Sequence, residues 1–179
     1  MSGARGTQVQ LERWTVTSGS SASSRAAVVL RAGGRDWQAS AEGNGPVDAL
    51  CRAVDAALAP LLGGRPVLLS FDIHALAEGP DAEGRVTVAI APPPTAAAER
   101  AEGRHGGEAT SVNIVAASVE AYVAALNALL SDPAWAGAAV AAAQREAVSG
   151  GLAAADQGTA GTHLDQDAEP IDTMDWFNR

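Results

Sequence analysis

Gly43-Asn44-Gly45-Pro46-Val47-Asp48-Ala49-Leu50 is where the chain changes its period. Just before it, Arg35 to Ala41 alternates. Trp37, Ala39 and Ala41 fall on one side, with Asp36, Gln38 and Ser40 on the other, which is the pattern of a half-buried strand. Just after it, Val47, Leu50, Val54, Leu58 and Leu61 recur at three- and four-residue steps, which predicts a helix over about 46–60 with one apolar face. Pro46 suits a first helical turn, where its missing N–H costs nothing. Asp48 complements the positive end of the helix dipole. Pro60 and Gly63-Gly64 mark the expected stop.

Working outward, residues 9–17 read as an extended first strand and Ser18 to Ser24 as a turn of small hydroxylated residues. Ala26 to Ala32 reads as a second strand, joined to the third by the two-residue hairpin signal Gly33-Gly34. The pattern then restarts. Over 66–76, Val67, Leu69, Phe71, Ile73 and Ala75 alternate with polar residues that include Ser70, Asp72 and His74. Residues 78–84 form a turn, and Val86, Val88 and Ile90 form another strand. Pro92-Pro93-Pro94 opens an irregular loop to 104. Residues 105–111 read as a short strand and helix entry, with Thr110 or Ser111 as N-cap. Val115, Val119, Tyr122, Leu126 and Leu129 then give a helix over about 112–130. The expected class is α+β: two pseudo-symmetric βββα units packed as one domain, each helix announced by glycines, Gly43-Asn44-Gly45 and Gly106-Gly107.

The chain has 179 residues, enough for one domain with an appendage. Residues 1–8 read as a loose N-terminus and 9–130 as the domain. Residues 131–149 read as an additional alanine-rich helix entered at Asp132-Pro133, and 150–179 as a disordered acidic tail. Trp176-Phe177 on that acidic leader has the form of a short partner-docking motif. The net charge is −9 and all twelve basic residues are arginine, which argues against nucleic acid as a partner. A single cysteine, Cys51, argues against a disulfide framework or a Cys-rich zinc site. No apolar run suggests a membrane span or a signal peptide, so a cytoplasmic protein is expected.

Reactive machinery is missing. His74, His105 and His163 are far apart, without metal-ligand spacing, and His74 is expected to be a structural hydrogen-bonding group. No nucleophile elbow or P-loop is present, and no cofactor motif. Cys51 reads as a small core residue. Asp48, Asp55, Asp72 and Asp81 read as scattered surface carboxylates. The glycine turns offer something else. A helix start leaves N–H groups unpaired and suits a carboxylate. Two starts facing one cleft walled by Val47, Phe71 and Ile114 would suit a free amino acid with a branched apolar side chain.

At these residues the chain resembles a known family. Gly43-Asn44-Gly45-Pro46-Val47-Asp48-Ala49 is similar to the G-x-G-P-V-D-A motif of the C-terminal regulatory (allosteric, dimerisation) domain of 2-isopropylmalate synthase. Leu69 to Ala75 resembles its L-x-Y-x-I-H-A strand, and Gly79 to Val88 its G-x-D-A-x-G-x-V-x-V turn and strand. Val112 to Ser118, with Ala121-Tyr122 to Asn127, resembles its T-D-I-I-E-A-S-x-x-A-Y-x-x-A-L-N helix. The resemblance implies two βββα units about a pseudo-two-fold, a homodimer, and leucine bound as feedback inhibitor. The implied effector contacts are the turn Asn44, Gly45, Pro46, Val47, Asp48 and Ala49; Leu68, Phe71 and Ala75 on the strand; Ala82; and Val112, Asn113 and Ile114 at the second helix start. Asn113 and Ala116 replace the family's aspartate and glutamate, and Phe71 its tyrosine. The catalytic barrel, some 250 residues in such folds, has no counterpart in this sequence. Three roles follow: a stand-alone regulatory subunit for a separate TIM-barrel acyltransferase, a part of a 2-isopropylmalate synthase, or a purely structural dimerisation module.

Overall fold

The computed structural model describes residues 8–79, 81–94 and 103–133. Its elements are β1 (Gln10–Gly19), β2 (Ala22–Ala32), β3 (Arg35–Gly43), α1 (Pro46–Leu62), β4 (Val67–Ala75), β5 (Gly84–Ala91), β6 (His105–Ser111) and α2 (Ile114–Leu130). The strands form two antiparallel three-stranded sheets, ordered β1-β2-β3 and β4-β5-β6. The architecture is therefore α+β, built from two βββα units. The expected helix beyond residue 133, the acidic tail, and Trp176 and Phe177 lie outside the described residues.

Local chemistry explains most of the first unit. Gly33 and Gly34 both take positive φ, 62° and 75°, the conformation that a two-residue hairpin matched to strand twist demands. The Trp37 indole Nε1 donates to the Ala32 carbonyl at 3.1 Å and closes the hairpin. The β1–β2 turn is tighter than expected, Ser20-Ser21 alone. The Ser24 hydroxyl is buried and donates to the Ser18 hydroxyl at 2.9 Å, so the hydroxylated run is satisfied across the hairpin and stays extended.

Helix α1 runs to Leu62, two residues past its expected end, with Pro60 inside its last turn. An interior proline costs about 3 kcal/mol. Burying Leu61 and Leu62, which are 3% and 0% exposed, returns about 1.5–3 kcal/mol each, and burial wins. Gly63 at φ 66° then ends the helix, its N–H donating to the Ala59 carbonyl.

Helix α2 corrects two expectations. Its N-cap is Asn113, whose carboxamide oxygen accepts from the N–H groups of Val115 (3.0 Å) and Ala116 (3.2 Å). Thr110 and Ser111 instead end β6, and the Ser111 hydroxyl accepts from the Asn113 N–H. Gly106 and Gly107 lie inside β6 rather than in a helix-entry turn. Gly107 is needed there because a Cβ would collide with the α2 backbone at Ala121, Ala124 and Ala125.

The internal repeat is close in the helices. One constant shift carries Ala49 onto Ala117, Ala53 onto Ala121, Ala57 onto Ala125, Leu58 onto Leu126, Leu61 onto Leu129 and Leu62 onto Leu130, all buried. The first strands repeat as well. β1 bulges between Leu11 and Arg13, β4 between Leu68 and Ser70. Helix α1 lies on β2 and β3, α2 on β5 and β6, and the helices touch each other. One hydrophobic cluster, with Leu30, Leu50, Ile90 and Leu126 fully buried, runs through both units.

Candidate functional site

The β3–α1 junction is shaped by Gly43, where a Cβ would strike the backbone of Ala49. This close approach buries Ala49 and turns the chain sharply into α1. Gly45 is the N-cap, extended at φ −156°, and makes no side-chain capping bond. Pro46 has no N–H to offer, so the Val47 and Asp48 amides begin the helix without a side-chain cap. The space beside Gly45 is open: a Cβ there would meet nothing within 4 Å. Asp48 accepts from the Asn44 N–H at 3.0 Å and from Arg52 Nε at 3.0 Å, with Arg65 at 3.9 Å. The Arg52 hydrogen bond, then that of the Asn44 amide, holds the Asp48 carboxyl below its ordinary range. This carboxylate therefore already has cationic partners.

The second group lies on β4. Leu68 stands opposite Ile90, Phe71 opposite Val88, Ile73 opposite Val86 and Ala75 opposite Gly84. Directly opposed residues share a face. Val86, Val88 and Ile90 are fully buried, so Leu68, Phe71, Ile73 and Ala75 point to the inner side of the sheet. This corrects the expected face, which held Val67 and Leu69. The bulge at Leu69 inserts one extra residue and lets Leu68 join Phe71, three positions on.

Among the described residues little covers the β4 part of that face: Phe71 packs against the core, whereas Leu68 and Ile73 are about half exposed. The only substantial neighbour of β4 among the described elements is β5. Val67, Leu68, Leu69, Ile73 and Leu76 are each 44–55% exposed. The equivalent strand β1 is treated differently. Leu11, Trp14 and Val16 pack on the core. Val9 is tied to α2 through both groups of the Asn127 carboxamide, at 2.7 and 2.8 Å.

Ile114 meets the far end of the same sheet, its side chain resting where a Cβ of Gly84 would be. Gly84 is the partner of Ala75, so Ala75 and Ile114 are brought to one corner. Ala82 lies two residues before Gly84, half-buried, while Val112 is exposed. Asn113 caps its own helix, so the amides of Val115 and Ala116 are already taken. The candidate residues thus form two sets: Asn44 to Ala49 at the start of α1, and the β4 face with Ala75 and Ile114 near the start of α2. No substantial α1–β4 contact joins them.

The helices meet halfway along their lengths at a pair the sequence reading misplaced. Asp55 is not a surface carboxylate; it is 7% exposed. It accepts from the Tyr122 hydroxyl of α2 at 2.6 Å and from Arg65 Nε at 2.9 Å. Burial pushes its carboxyl above the ordinary range, opposed by Tyr122 and Arg65. Burial, then the facing Asp55 carboxylate, raises the Tyr122 hydroxyl, which stays a donor. Cys51 is half-buried and packs against the core, and burial pushes its thiol up to about 12, with Asp55 and Asp48 adding to the shift. A thiol so raised is a poor nucleophile. His74 is exposed and makes no hydrogen bond among the described residues, contrary to its expected structural role. Among the described residues no three His, Cys, Asp or Glu side chains gather as a metal site would require, and no helix is long and apolar enough to cross a membrane.

Residues 1–130 match the family model of the LeuA allosteric (dimerisation) domain. The chain belongs to that family. Within it, the chain is 36% identical over 107 residues to the 2-isopropylmalate synthase of Aromatoleum aromaticum, covering 60% of this chain and 19% of that one. It is 36% identical over 125 residues to that of Prochlorococcus marinus (strain MIT 9303), covering 68% and 21%. The synthase of Nitrosomonas europaea is 38% identical over 107 residues, covering 60% and 19%. The chain thus spans about a fifth of the length of these relatives. In the LeuA allosteric domain of this chain, the matched region holds both βββα units and every candidate effector residue.

Proposed function

We propose that the chain is a non-catalytic, homodimeric regulatory module, acting in the cytoplasm. It binds a leucine-like amino acid and controls a separate 2-isopropylmalate-synthase-type acyltransferase. The observation that carries this reading is the inner face of β4, where among the described residues Leu68, Ile73 and Ala75 lie exposed and Phe71 alone packs against the core. Soluble chains rarely leave a contiguous apolar strand uncovered unless something binds it. Here Leu68, Phe71 and Ala75, the residues implied by the family motif, stand together on that face. A branched hydrocarbon fits against them. Its carboxylate has a berth at the uncapped Val47 and Asp48 amides. Because α1 and β4 of one chain are not in substantial contact, pairing of two copies completes the site. Coupling between such a site and an enzyme is typically ~1–3 kcal/mol.

Titration calorimetry tests this directly. Leucine, or a branched relative, should bind with micromolar to low-millimolar affinity. Gly45→Trp fills open space beside the α1 start and should abolish binding while the fold persists. The second reading, a dimerisation module without effector, draws on one observation: Asn113 occupies the α2 amides that a ligand would need. No heat with any of the twenty amino acids would decide for it.

A further inference from the structure

We propose that two copies of the chain join edge to edge through β4, antiparallel about a two-fold axis at Ile73, making one six-stranded sheet. The inference rests on the homodimer reading above and specifies its contact.

Among the described residues β4 is an edge strand without the usual edge protection. Val67–Ala75 contains no proline and no basic side chain other than His74, and one acid, Asp72. A two-fold perpendicular to a sheet keeps each side chain on its own face, so the axis must pass through a residue. Four positions centre the pairing on the body of the strand. An axis at Asp72 sets two carboxylates directly opposite one another, which is unfavourable, and one at His74 sets Asp72 against Leu76 of the second copy. An axis at Phe71 draws the Leu69 bulge into the pairing and places His74 against Leu68.

The axis at Ile73 alone is complementary on both faces. On the outer face Asp72 lies opposite His74 of the second copy, twice over. On the inner face Phe71 lies opposite Ala75, large against small, with Ile73 against itself. The two inner faces then form one continuous apolar floor, on which the proposed effector would lie.

Disulfide trapping in the full-length chain, with Cys51→Ala as background, tests the register. Antiparallel partners sit about 4.5–5.5 Å apart at Cα, within disulfide reach. Ile73→Cys, an exposed position, should form a covalent dimer on mild oxidation. Phe71→Cys alone should not, whereas Phe71→Cys with Ala75→Cys should. Asp72→His should weaken association about tenfold by sedimentation, and adding His74→Asp should restore it. Trapping by Phe71→Cys alone, or failure of the exchange to restore affinity, overturns the register. A dimer that Ile73→Cys cannot trap overturns β4 as the contact and leaves the homodimer standing. A chain that sediments as a monomer at all concentrations removes both.

Discussion

Tyr122→Phe removes one hydroxyl and nothing else from the seam between the two βββα units. The hydroxyl lies 2.6 Å from Asp55, whose side chain is 8% exposed, so the bond is short, dry and charge-assisted. Such bonds contribute about 1.5–3 kcal/mol. Arg65 still holds the other carboxylate oxygen, which keeps the loss near the middle of that range, about 2 kcal/mol at neutral pH. With a urea slope of about 1.5 kcal/mol/M, the unfolding midpoint should fall by about 1–1.5 M at fixed protein concentration. The pH dependence is sharper still. Asp55 has a folded-state value raised above its unfolded one, burial being the largest cause. Its contribution to stability is therefore complete below the ordinary carboxyl range, near 4, and is lost as pH rises through the raised value. Tyr122 opposes that rise, so its removal should cost about 1 kcal/mol at pH 3, below the ordinary carboxyl range, where the bond is neutral, and more at pH 7. Asp55→Asn should flatten this stretch of the profile. A cost below about 0.5 kcal/mol, or one equal at both pH values, would refute the account of the seam.

Two other outcomes follow from backbone geometry. Asn113→Ala deletes both capping bonds at the start of α2 and should lower stability by about 1 kcal/mol in the same urea assay, with little change in fold. Gly107→Ala pushes a methyl into the α2 backbone and should cost at least about 3 kcal/mol or prevent folding, read by circular dichroism.

Much of the fold was legible because it is written locally. Gly33-Gly34 announces a hairpin from its own backbone preferences, and the three- and four-residue recurrence from Val47 to Leu61 announces a helix without knowledge of its partner. What escaped depends on distant neighbours. The bulge at Leu69 appears only when β4 is laid against β5, and it decides that Leu68, rather than Val67 or Leu69, shares the face of Phe71. Asp55 looked like one surface acid among several because its partner, Tyr122, lies on the other helix. A signal was present: Asp55 stands beside Val54 in the buried stripe, and Tyr122 is the chain's one tyrosine. The Asn113 cap was hidden by Thr110 and Ser111, good capping types that belong to the preceding strand. The β4 residues were reached through a family motif. How far they are exposed was not visible from alternation, which says that a face is apolar but not what covers it.

The two halves share a helix register and a bulge, yet among the described residues one first strand is drawn into the core and the other, apart from Phe71, is left largely exposed. This inequality limits stoichiometry. Two adhesive margins on one chain would let copies add at both ends and grow into ribbons. In the proposed pairing each chain offers one margin that recognises only its own copy, so the first encounter consumes it and assembly stops at two.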